Sequence, residues 1–195
     1  MPTDRNFAHT NLLNQFGGPM LQRLLVFIYA LCLTTGLAVA QTAELLDESG
    51  DWQAYKYRDP ATGGLVCFVM SAPQKMEGNY QLRGAVWLQI THRQNEANAD
   101  NRVNVVSFAA GFQFWDNFQP TLTIGDEQFR MHTDNETAWS FPVDDTALTR
   151  ALRDGAEVII ETKSWRGTEI RDTFSLRGIT AMHNRISSEC GVNPL

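Results

Sequence analysis

Alternating apolar and polar positions dominate the chain from residue 52 onward. Side chains along a strand point to opposite faces in turn, so this alternation over short segments predicts half-buried β-strands. Three pairs of these segments are separated by glycine-containing turn signals, which predicts hairpins. The predicted strands cover 52–57, 65–70, 86–91, 103–108, 122–124, 128–131, 158–165 and 169–175.

Two segments show the helical period instead. A helix of about two turns is predicted over 144–155, where apolar residues share one face and Gly155 follows as a stop signal. A second helix near the C-terminus has an apolar stripe at i, i+3, i+7 and i+11, formed by Ile179, Met182, Ile186 and Cys190. Short strands with two short helices predict a mostly β fold, an antiparallel β-sandwich or flattened barrel.

One apolar run, 24–40, precedes this pattern. Its strongly apolar part is too short to cross a bilayer, and the run ends in the small-x-small sequence 38–40 that a signal peptidase needs. We therefore predict a signal peptide cleaved before Gln41, with an uncleaved membrane anchor as the alternative. Residues 1–19 are polar and without pattern, so Met20 is the predicted true start and the leading segment a start-site artefact.

The predicted mature chain begins with a polar, acidic linker over 41–50 and continues as a single β domain over 51–195. The whole sequence has 16 Lys and Arg against 22 Asp and Glu, a formal net charge of −6. Nucleic-acid phosphates are bound by basic patches, so this balance argues against a nucleic-acid partner. We expect a soluble, acidic, exported protein with no membrane span after cleavage.

Cleavage would leave two cysteines, Cys67 and Cys190. Cysteine pairs tend to bridge in oxidising compartments, and the helical stripe aims Cys190 inward, so we predict a disulfide between them. Two buried free thiols are the alternative. The predicted mature part has three histidines, His92, His132 and His183. They show no metal-ligand spacing with each other or with the cysteines, so neither a metal nor another cofactor is predicted.

Several short segments are distinctive as a set, because of their order and spacing along the chain, although each of them is common by itself. They are Trp52, Val66–Phe68, Ser71–Pro73, Arg83–Gly84, Thr91–Arg93, Ala138–Trp139, Arg153–Gly155, Ser164–Thr168, Asp172–Gly178 and Ala181. Together they resemble the invasion-associated locus B family over nearly the whole predicted mature chain. The resemblance implies export by Gram-negative, mainly alphaproteobacterial, cells to the periplasm or beyond, and an association with virulence through entry into erythrocytes. It implies no catalytic residue.

The sequence contains no assembled catalytic pattern. A Gly-x-Ser-x-Gly elbow is absent, as are a Walker loop and a dinucleotide glycine pattern. The paired carboxylates fall in predicted turns and at a helix cap, where solvated acids are expected rather than acid/base catalysts. Asp172 is expected to pair with Arg171 or Arg177 at the surface. We therefore predict a protein that is not an enzyme, with an envelope enzyme of unrecognised type as a more distant alternative.

Aromatic residues near turns are the candidate binding residues. Trp165 and Arg166 lie at a predicted hairpin tip, where a Trp beside an Arg can hold a carboxylate, a sugar face or a partner loop. Trp115 and Phe118 flank the turn signal Asp116–Asn117, where one aromatic is a candidate for exposure, although packing into the core is the usual role of such a segment. For Trp165 the alternative is a ring folded back onto the sheet, with Arg166 solvated. The leading hypothesis is a non-enzymatic module that binds a protein or envelope component. The alternative is a small-molecule or glycan-binding module that uses the aromatic segment Phe112–Phe118.

Overall fold

A computed structural model of the protein describes residues 42–94 and 102–195. The predicted signal peptide, its cleavage site and the proposed start at Met20 lie outside these residues. In chain order the elements are β1 (Glu44–Ser49), β2 (Trp52–Arg58), β3 (Leu65–Ser71), β4 (Lys75–Gly78), β5 (Trp87–Arg93), β6 (Arg102–Ala109), β7 (Thr121–Ile124), β8 (Glu127–Asp134), β9 (Thr137–Ser140), α1 (Asp145–Asp154), β10 (Glu157–Lys163), β11 (Glu169–Ser175) and α2 (Ile179–Glu189).

All strand pairs are antiparallel, in the order β1-β2-β3-β5-β6-β9-β8-β7-β10-β11-β4. The first half of β8 pairs with β7 and its second half pairs with β9, so β8 passes from one half of the sheet to the other. The inner faces of the two halves meet at Phe108 of β6 and Phe174 of β11, whose ring centroids are 6.1 Å apart. The sheet remains open, with β1 and β4 at its edges.

The predicted fold class is confirmed: the chain is mostly antiparallel β with two helices, the second near the C-terminus. The structure differs from the expectation at residues 44–49, which form β1 within the stretch predicted as a linker. Two further short strands, β4 and β9, were also not predicted. β1 and β4 are edge strands whose side chains are mostly exposed, so neither has the apolar alternation that reveals a strand in sequence.

The two helices contact the inner side of the first half of the sheet, α1 against β6 and α2 mainly against β1, β2 and β3. A disulfide joins Cys67 of β3 to Cys190 at the end of α2, as the sequence predicted. Both cysteines are buried in the common core. The C-terminal helix is therefore covalently attached to a central strand 123 residues earlier in the chain.

Candidate functional site

Backbone pairing brings two of the candidate residues, Trp115 and Trp165, together. The Trp115 N–H donates to the Lys163 carbonyl at 2.9 Å, and the Trp165 N–H donates to the Gln113 carbonyl at 2.8 Å. Phe114 lies between them on the inner side and is buried. Alternation along an extended chain then places Trp115 and Trp165 on the outer side, where they are 44% and 55% exposed.

Each of these tryptophans has a cation against its ring. The Lys163 Nζ lies 5.0 Å from the Trp115 ring centroid, and the Arg166 guanidinium carbon lies 4.7 Å from that of Trp165. Gly167 has a left-handed backbone with φ +84°, and a Cβ there would lie 3.3 Å from the Trp115 ring. The glycine thus lets the turn pack close to the indole. We call Trp115, Lys163, Trp165 and Arg166 the hairpin tip.

The other aromatics of the segment Phe112–Phe118 do not join this exposed surface. Phe114 is buried in the core, and the Phe112 ring packs edge-on against it with centroids 5.6 Å apart. Phe118 is half-buried, and its N–H donates to the Trp115 carbonyl at 3.0 Å. Of the four candidate residues, the structure therefore brings together Trp115, Trp165 and Arg166, and leaves Phe118 to support the turn.

A buried ion pair lies on the inner side of this end of the sheet. The Arg83 guanidinium donates from Nη1 and Nη2 to both carboxylate oxygens of Asp172, each at 2.6 Å, and its Nε donates to the Ala110 carbonyl at 2.6 Å. The guanidinium carbon also lies 4.9 Å from the centroid of the Phe112 ring. Arg83 thereby ties β11 to the chain that leads into the Trp115 segment.

The expectation that Asp172 pairs at the surface was wrong. Its side chain is fully buried, because it shares the inward face of β11 with Ile170 and Phe174. The two arginines proposed as its partners have other carboxylates: Arg171 pairs with Glu161 at 2.8 Å, and Arg177 with Asp51 at 3.4 Å.

Two histidines that are far apart in sequence form a buried network. The Asn104 N–H donates to His92 Nδ1 at 3.1 Å, and Arg153 Nη1 lies 3.0 Å from His183 Nδ1. These donors require both Nδ1 atoms to be unprotonated acceptors, so each Nε2 carries the proton. His92 Nε2 then donates to Ser187 Oγ at 3.0 Å, and His183 Nε2 to Asn104 Oδ1 at 2.9 Å. The network attaches α2 to β5 and β6.

Burial makes these histidines hard to charge. It lowers the pKa of His92 from 6.5 to about 4. Burial, with the nearby charges of His92 and Arg153, lowers the pKa of His183 to about 3. Protonation would also place N–H groups against the N–H of Asn104 and the guanidinium of Arg153. Both histidines are therefore neutral in the folded protein at ordinary pH.

We expect acid to destabilise the protein between about pH 7 and pH 5.5. In that range the unfolded chain binds protons at His92 and His183 while the folded chain does not, so stability falls as the pH falls below 6.5. For the two histidines together, this difference in bound protons lowers the free energy of unfolding by about 2.5 kcal/mol over this interval. Urea unfolding at several pH values measures it. In the control variant His132→Gln, which changes an exposed histidine, the free energy of unfolding should fall with pH as it does in wild type. If the double variant His92→Gln plus His183→Gln also shows this fall, the assignment to the two buried histidines is wrong.

Within residues 42–94 and 102–195, no group of three His, Cys, Asp or Glu side chains is placed to hold a metal ion. In the same part of the chain, no helix has the length and apolar character required to cross a membrane.

Fold and site together define an open, antiparallel β protein whose C-terminal helix is disulfide-linked. The β10–β11 hairpin exposes Trp165, and the neighbouring segment between β6 and β7 exposes Trp115, each with a cation against its ring. The family model described as Invasion associated locus B (IalB) protein matches residues 52–187. The chain therefore belongs to this family, and the resemblance noted in the sequence is confirmed. No curated protein and no solved structure matches the chain.

Proposed function

We propose that the protein is an exported, non-enzymatic binding module of the IalB type. Its partner is a protein or another component of the bacterial envelope, and it contacts the hairpin tip. The observation that carries this proposal is that two exposed tryptophans lie on segments joined by backbone hydrogen bonds, each with a cation against its ring. Trp and Arg, with Tyr, are enriched at the energetic centres of protein interfaces.

The local structure supports this role because the tip is already ordered. Backbone hydrogen bonds on both sides of Phe114 fix Trp115 and Trp165, and Gly167 supports the Trp115 ring. A side chain held in place before binding loses less conformational entropy on association, so more of the contact energy appears as affinity. The buried Arg83–Asp172 pair attaches the neighbouring chain to β11 and so keeps this arrangement rigid.

Export is supported by the apolar run over residues 24–40 with its small-x-small end, and by the disulfide. Disulfides persist in the periplasm and outside the cell, whereas cytosolic thiols are kept reduced. Family membership is compatible with this localisation. The acidic balance of the chain also supports a partner other than nucleic acid.

Removing the tip should weaken partner binding at least thirtyfold. Truncating one residue at the centre of an interface costs about 2 kcal/mol or more, and 1.4 kcal/mol corresponds to tenfold in affinity, so a single such loss already gives about thirtyfold. Truncation costs are not additive, so this value is taken as the lower limit for the double change. The experiment compares wild type with the variant Trp165→Ala plus Arg166→Ala in capture from a solubilised envelope extract, followed by titration of the captured component.

The matched control is Val143→Ala plus Arg150→Ala, which removes an exposed apolar side chain and an exposed cation elsewhere on the surface. It should bind as wild type does. Equal capture by the tip variant and wild type would reject the tip as the partner surface.

A further inference from the structure

A second candidate site lies on the face of the sheet that points away from the helices. Cross-strand pairing aligns Lys56, Cys67 and His92 on the helix side, where they contact α2. Their sequence neighbours Tyr57 and Val66 therefore lie on the opposite face. On this face there is a cleft of about 420 Å³, a size typical of small-ligand sites. None of the hairpin-tip residues lines it.

The cleft has an apolar floor between aromatic walls. Its floor is formed by Val66 of β3, with Thr91 of β5 and Val105 of β6 paired directly opposite each other. Tyr57 of β2 stands at one side and Trp139 of β9 at the other, both half-buried. Four strand spacings of about 4.8 Å separate β2 from β9, or roughly 19 Å, which accommodates a short chain of sugar rings.

Polar groups line the same cleft at defined positions. Gln89 Nε2 donates to Thr91 Oγ1 at 2.7 Å, which fixes the amide and leaves its oxygen as an acceptor. Arg93 and Arg102 are paired across β5 and β6 at one end, and both are exposed. Arg93 has one guanidinium nitrogen 3.3 Å from Asp59, and an arginine has further donors for a ligand.

We propose that this cleft binds an acidic oligosaccharide. Aromatic rings provide flat apolar surfaces for sugar faces, the amide and hydroxyl groups match sugar hydroxyls, and guanidinium groups bind carboxylates in a bidentate geometry. The two adjacent arginines are a local concentration of positive charge on a protein of net charge −6. The carboxylate of Asp134 also lines the cleft, but on β8, two strands beyond Arg102 of β6. A ligand with carboxylates at the arginine end is therefore favoured. The site is independent of the proposed partner surface at the hairpin tip.

Isothermal titration with two acidic trisaccharides, trigalacturonate and trimannuronate, tests this proposal, with the neutral galactotriose and mannotriose as matched ligands. At least one acidic trisaccharide should bind more than tenfold tighter than its neutral counterpart, and added salt should reduce the difference. Absence of binding by both acidic ligands at millimolar concentration, or equal binding of the neutral ones, would overturn the proposal.

Variants separate the two contributions. Trp139→Ala should weaken binding of the acidic ligand at least tenfold, and Arg93→Gln with Arg102→Gln should abolish the preference for acid over neutral sugar. The arginine changes are at exposed positions, so they test the site even if the Trp139 variant does not fold. The hairpin-tip variant Trp165→Ala plus Arg166→Ala should bind the sugar as wild type does. A loss of sugar binding in the tip variant, or none in the arginine variant, would contradict the assignment to this cleft.

Discussion

Replacing Arg83 with Met should lower the free energy of unfolding by about 3–5 kcal/mol. The substitution retains much of the side-chain length but leaves the carboxylate of Asp172 buried without its bidentate partner. Breaking a buried ion pair from one side costs this much because a charge then remains in an environment that solvates it poorly. The backbone carbonyl of Ala110 also loses its donor. Urea unfolding at neutral pH measures the change.

A matched control exists on the same strand. Arg171 pairs with Glu161 at 2.8 Å, but both side chains are about half exposed, so Arg171→Met should cost less than about 1 kcal/mol. The double variant Arg83→Met plus Asp172→Leu removes both charges and should recover much of the lost stability. If Arg83→Met costs no more than Arg171→Met, the buried pair does not have the role described for it.

The same substitution has a functional consequence. Arg83 donates a hydrogen bond to the Ala110 carbonyl and stacks on the Phe112 ring, a few residues before Trp115. Loosening that connection should reduce the order of the hairpin tip and weaken partner binding even in the fraction that remains folded. In the capture experiment, Arg83→Met should therefore bind less than wild type but more than the variant Trp165→Ala plus Arg166→Ala, which removes the contact residues themselves. Capture of folded Arg83→Met equal to that of wild type would contradict this connection.

Removing the disulfide should lower the free energy of unfolding by up to about 5 kcal/mol. Cys67 and Cys190 are 123 residues apart, so the bridge restricts the unfolded chain over most of the domain. The chain-entropy treatment assigns a loop of this length a value near that upper figure. Double substitution to alanine and chemical reduction should give similar losses in denaturant unfolding.

Reductant should have no further effect on the Cys67→Ala plus Cys190→Ala variant, which makes that variant the control for the reductant itself. α2 should remain docked near neutral pH because Ser187 and His183 still bind the histidine network. A wild-type unfolding curve that is unchanged by full reduction would contradict the stabilising role of the bridge.

Much of the core could be predicted because its signals are local. Alternation located the hairpins formed by β2 and β3, β7 and β8, and β10 and β11, and the helical stripe aimed Cys190 inward. The tip could also be located, since Trp165 and Arg166 precede a turn glycine. That Trp115 belongs to the same surface could not be predicted. The bridge between Phe114 and Ser164 joins segments about fifty residues apart and leaves no periodic pattern in the sequence.

The buried polar pairs could not be predicted from the sequence, because their members are far apart along the chain. Arg83 and Asp172 are 89 positions apart, and His92 and His183 meet only when α2 docks. One usable signal was present for Asp172: it alternates with Ile170 and Phe174, so its spacing placed it on the core face of β11. Because an unpaired buried charge is costly, a charged residue on a core face is expected to have a buried partner of opposite charge.

We expect the working protein to be an exported, oxidised module that begins after residue 40. The intact mass of the protein purified from an envelope fraction, with thiols alkylated before any reduction, tests this directly. The expected mass is that of residues 41–195, less two hydrogen atoms, with no alkyl group added. A mass that includes the apolar run 24–40, or one that carries two alkyl groups, would contradict it.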